Sequence, residues 1–173
     1  MREKFSDDEW ATVLRAPAAV ISAVIGSSLG GPVSIMKEVG AAVNSFEQAA
    51  KERRENPLIA EILVALKERF DAFSFLGNSE GDTTLGDVDV VALGSDPAKA
   101  VAMVREAGEV LNRNAPGPES DEYRTWLLQI GRNVAEAAPE GGFMGIGGEQ
   151  VNDAEREILA QLREALGLSE QAA

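Results

Sequence analysis

Three features of the sequence predict an all-α fold of about seven helices packed as a bundle. Apolar residues recur at helical spacing along most of the chain. Asn-Pro, Asp-Pro and Ser-x-x-Glu signals mark where helices begin. Only Val88–Leu93 reads as a short strand or a helical turn, and no second strand offers it a partner. Ser6 and Glu9 form a capping box that opens a helix with Trp10, Val13 and Leu14 on one face. Pro17 either starts a second helix or kinks the first, and Val20, Ile21, Val24 and Ile25 then follow up to the turn Gly26–Pro32. A third helix is expected over about Val33–Arg54, with Val39, Ala42, Val43 and Phe46 in its stripe and basic residues near its C-terminal end. Asn56-Pro57 starts a fourth, carrying Ile59, Ile62, Leu63, Leu66, Phe70 and Phe73 and ending before Gly77. Asp96-Pro97 starts a fifth with Val101, Val104, Ala107 and Leu111. Ser120 is expected to cap a sixth with Tyr123, Trp126, Leu127, Ile130 and Val134. Asn152 and Glu155 open a seventh that Gly167 closes.

The 173 residues suit one domain, 1–173, with a flexible loop over about 77–96 and a frayed tail at 169–173. Hydrophobic residues make up 45%, enough for a core, and aromatics only 5%, so Ala, Val, Ile and Leu must build it. Cysteine and histidine are absent. Thiol nucleophiles, Ser-His and Cys-His catalysis, zinc fingers and disulfides are therefore excluded, and no catalytic constellation is predicted. The net charge of −13 argues against nucleic acid and against an anionic membrane as partner. The acidic start, Met1–Trp10, lacks the basic and apolar pattern of a secretory signal, which predicts a cytoplasmic location. Residues Ala16–Met36 carry no charge and have the length of a membrane span. The turn Gly26–Pro32 breaks that run, and a bilayer would leave its backbone unsatisfied, so a buried helix and turn are expected instead.

Four features bear on chemistry. In the turn 139–153, Gly141–Gly148 holds five glycines; it is neither a dinucleotide fingerprint nor a P-loop, and Phe143 and Met144 read as plugs of a helix pair or as interface residues. Between Asp71 and Ala98 there are six acids and no base, and oxygen ligands on a glycine-containing loop suit Ca²⁺ or Mg²⁺, although the EF-hand spacing is not met. Asp82, Asp87 and Asp89 are the candidate ligands there. Paired acids such as Glu136 and Glu140 fall on polar faces and point to no acid/base pair. Trp10 and Trp126 open two helices that lead into Gly30-Gly31 and Gly141-Gly142, each followed by a helix bearing a glutamate, Glu38 or Glu155. This faint repeat predicts two related hairpins at the chain ends, with the tryptophans as core or interface anchors.

Residues 126–166 resemble the helix hairpins of TerB-like (tellurite-resistance B) proteins. The likeness rests on Val134-Ala-Glu-Ala-Ala138, the acidic glycine turn, then Val151-Asn-Asp-Ala-Glu155 and an amphipathic helix. The turn departs from that family's Ala-Asp-Gly pattern, reading Pro139-Glu-Gly-Gly and continuing as a glycine-rich insertion. The resemblance implies an all-helical bacterial protein of stress or envelope-associated assemblies. It also implies acidic residues suggested to bind metal, here Glu140 and Glu155. The leading functional expectation is a helical protein that works through a protein partner or as a homo-oligomer, without a cofactor. The alternative is a Ca²⁺- or Mg²⁺-binding protein using the acidic loop or the glycine turn.

Overall fold

A computed structural model describes residues 1–28, 32–69, 84–85, 87–137 and 151–169. Over these the chain is an all-α bundle. A 3₁₀ turn, Arg2–Lys4, precedes α1 (Asp7–Ser27), α2 (Pro32–Glu52) and α3 (Pro57–Arg69). A minimal hairpin, β1 (Thr84–Leu85) and β2 (Val88–Asp89), leads into α4 (Val90–Gly94), α5 (Pro97–Asn114), α6 (Pro118–Glu136) and α7 (Asp153–Ala165).

The bundle is organised around α1. Thirteen of its residues are buried, among them every one from Ala16 to Ile25. A helix apolar on all sides must be covered on all sides, and α1 packs against each of the other six helices described. The expected uncharged run is therefore, as far as Ser27, the core helix. It is also long and apolar enough to cross a membrane, with 72% of its most apolar window buried inside the protein.

Pro17 does not start a second helix, which corrects one of the two outcomes expected from the sequence: α1 runs through it from Asp7 to Ser27. A proline withholds the N–H that would pair with the carbonyl four residues back, here Val13. The Tyr123 hydroxyl, from α6, donates to that carbonyl at 2.8 Å in the buried core. The orphan left by Pro17 is thus satisfied from another helix, and α1 continues. Tyr123→Phe is expected to cost about 2 kcal/mol, the penalty of a stranded buried acceptor. In a Pro17→Ala background, where residue 17 regains its N–H, the cost should fall to about half. Urea denaturation of the four proteins in that cycle measures the coupling; equal costs in both backgrounds would refute the substitution of one donor for the other.

Small residues set the close crossings. A Cβ on Gly26 of α1 would lie 1.9 Å from the Gly94 carbonyl oxygen, so α4 rests directly on the α1 backbone. Gly40 in α2 has no neighbour among the described residues within 4 Å of a built Cβ. Gly40→Ala should raise stability by about 1 kcal/mol through helix propensity alone, a rise in melting temperature of roughly 2–4 °C.

The helix ends follow local chemistry. Ser6 and Glu9 form the expected capping box, as do Asn152 and Glu155. The Asn56 Oδ1 accepts from the Leu58 and Ile59 amides, and Asp96 accepts from Lys99. The sixth expected helix differs: Pro118 takes its first position and Gly117, at φ 142°, is its N-cap. The Ser120 hydroxyl instead donates to the Ala115 carbonyl at 2.5 Å. Val88 does find a strand partner, since Leu85 pairs with it in the hairpin. Within the stretch 77–96 expected as loop, the described residues thus form a hairpin and one short helix, with Val88 and Val90 buried.

Burial also governs Tyr123 itself. Removed from water, its phenol ionises well above the usual tyrosine range of about 10. The raised folded value contributes stability that is full below pH 10 and is lost as pH rises beyond it. Stability should fall by about 1.4 kcal/mol per pH unit in that window from this group alone. Tyr123 is the only tyrosine, so tyrosinate absorbance should appear only with unfolding, and an early, fully reversible rise in the native state would contradict its burial.

Candidate functional site

An opening in this fold lies between the N-terminal turn and α3. It is a groove of about 410 Å³ lined by Arg2, Trp10, Ala60, Glu61, Val64, Ala65 and Glu68. Its walls are fixed from both sides. The Arg2 amide donates to Glu61 Oε2 at 2.7 Å, holding the turn against α3. The Arg2 guanidinium lies 5.6 Å over the Trp10 ring, donates to the Phe5 carbonyl at 2.6 Å and pairs with Asp7. Phe5 also packs against Trp10, with ring centroids 5.7 Å apart. Trp10 is therefore a rigid, largely buried wall, 7% exposed, whose indole borders the opening.

The opposite wall is less covered. In α3, Leu58, Ile59, Ile62 and Leu66 face inward and are buried. Ala60 and Ala65 are half-buried, and Val64 is 56% exposed. Val64 and Val91 are the large apolar side chains exposed among the described residues.

The residues singled out from sequence fall in different places. Trp126 is 2% exposed and packs with Phe46 and Tyr123 at centroid distances of 5.9 and 5.8 Å. It is a core side chain with no surface to offer a partner. Asp87 forms an ion pair with Arg15 of α1, with Arg15 Nε 2.9 Å from the carboxylate. That pair holds the Arg15 guanidinium above its usual pKa. Asp89 accepts from the Ala92 amide at 3.0 Å as the N-cap of α4. Glu155 is buried and accepts from the Asn152 amide at 2.8 Å, completing the capping box of α7. Asp82, Glu140, Phe143 and Met144 lie outside the described residues. Among the described residues no three or more potential metal ligands of the His, Cys, Asp and Glu types come together. Of the candidate loop acids, the two described ones take part in an ion pair (Asp87) and in a helix cap (Asp89).

One buried acid was marked in the sequence only as part of the repeat. Glu38 in α2 is fully buried and accepts from the Ser28 hydroxyl, at the end of α1, at 3.1 Å. Glu38 stands seven residues after Gly31, and Glu155 seven after Gly148. These are the two buried acids among the described residues. That shared spacing to a glycine pair is the signal by which Glu38 could have been found.

Near the groove, Glu9 is held below the usual carboxylate range by the Asn114 side chain first and by the Ser6 cap next. Its contribution is present above the ordinary carboxylate pKa and is lost as pH falls through the lowered one. Acid should thus loosen the start of α1, which carries Trp10.

No family model, curated protein or solved structure matches this chain. The resemblance of residues 126–166 to TerB-like hairpins rests on those residues alone.

Proposed function

We propose that the protein acts by binding a segment of another protein in the groove between the N-terminal turn and α3. The observation that carries this reading is the state of α3. Its sequence is apolar on nearly all sides, as in helices covered all round, yet among the described residues only its inner face is covered. The outer face presents Val64 beside a rigid tryptophan wall, the combination of apolar anchor and preformed concavity on which interfaces rely. The acidic loop supplies no comparable cluster among the described residues, so the cation reading has no such support.

The experiment is a selection of displayed random peptides against the protein, with Val64→Glu as counter-selection. Val64 is exposed, so the substitution should change stability by no more than about 0.5 kcal/mol. Peptides enriched on the wild-type protein should bind Val64→Glu at least about tenfold more weakly. No enrichment, or enriched peptides that bind both proteins equally, would overturn the reading.

A further inference from the structure

The charges around the groove point to the chemistry of its occupant. On α3, Glu61 and Glu68 stand two turns apart on one edge of the outward face, with Val64 between them. Ala60 and Ala65 are small enough for a second helix to come close. Glu61 is already engaged, receiving the Arg2 amide and the Met1 amino group, the latter at 2.9 Å. Glu68 is exposed and has no ion pair or hydrogen bond among the described residues. Arg2, the base lining the groove, is stacked on Trp10 and paired with Asp7, so its charge is already answered.

A second copy of the chain fits this face badly. Antiparallel helices meet edge to matching edge, which would set the Glu61–Glu68 row against itself, and like charges directly opposed are destabilising. Two chains of net charge −13 also repel at a distance. The same field attracts a basic protein and speeds its encounter.

We infer, resting on the docking role proposed above, that the groove takes an amphipathic helix from a basic protein. An apolar side chain of that helix enters between Val64 and Trp10, and a Lys or Arg on its matching edge meets Glu68.

The test uses three synthetic helical peptides of about 14 residues, close to the length of α3. All share a Leu/Ala face with a central leucine, and one edge carries Lys, Gln or Glu. Fluorescence anisotropy at about 0.15 M salt reads binding to the full chain. The Lys peptide should bind about tenfold more tightly than the Glu peptide. Val64→Glu should weaken the Lys peptide about tenfold although it makes the chain more acidic, and Glu68→Lys should shift preference toward the Glu peptide. If Val64→Glu binds the Lys peptide as well as the wild-type chain does, the attraction is bulk charge and the inference is overturned. If the Gln or Glu peptide binds the wild-type chain as tightly as the Lys peptide, the groove remains a docking site and the basic occupant is overturned. If none of the three binds, the docking role fails and the inference with it.

Discussion

Replacing Trp126 with alanine is expected to lower stability by about 4 kcal/mol, a shift in melting temperature of roughly 8–16 °C. The indole is 2% exposed and joins Phe46 of α2 to Tyr123 of α6. Removing it empties a large volume that the surrounding helices can fill only partly. The indole N–H has no hydrogen-bond partner among the described residues. Trp126→Phe therefore removes an unsatisfied buried donor along with some volume, and should cost only about 1–2 kcal/mol. Urea midpoints of the two variants measure both values. An alanine variant that loses less than about 2 kcal/mol would mean that α2 and α6 are held together by something other than this aromatic contact.

The second large effect comes from adding a single methyl group. Gly26→Ala places a Cβ where the Gly94 carbonyl oxygen stands, at 1.9 Å. The obstacle is backbone, which cannot rotate aside as a side chain can, so α1 and α4 must separate. About 3 kcal/mol should be lost, or roughly 6–12 °C in the melt. Gly94→Ala is milder, because the added Cβ meets the Ser22 carbonyl oxygen at 3.0 Å. The order Gly26→Ala worse than Gly94→Ala, with Gly40→Ala stabilising, can be read from three melting curves. A Gly26→Ala protein that melts with the wild type would show that α4 does not rest on α1.

What was legible in the sequence was what acts within a few residues. The Ser6–Glu9 and Asn152–Glu155 boxes and the caps at Asn56 and Asp96 each close over two or three positions, so the residues that make them are neighbours in the text. The continuity of α1 was not legible, because the donor that answers Pro17 is Tyr123, 110 residues from the Val13 carbonyl it reaches. The role of Asp87 was hidden for the same reason: Arg15 lies 72 residues away. Of the candidate site, Trp10 could be singled out as a large side chain at a helix start. The outward face of α3 could not. Periodicity orients a helix by its polar side, and α3 has almost none until Lys67 and Glu68. Which of its apolar residues stay outside is decided by neighbours that periodicity does not name.

The central position of α1 also sets the order in which the protein can come together. The helix with the most buried surface is made first, while α5, its most extensive neighbour, begins roughly seventy residues later. At ordinary rates of synthesis that interval is about 4–14 s. During it, an apolar helix stands on a growing chain with only α2, α3 and α4 to lean on. Contacts between the beginning and the end of a chain also slow folding. Nascent chains halted before α5 should therefore bind holdase chaperones strongly, and release should coincide with the emergence of α6, which brings the hydroxyl that completes α1 at Val13.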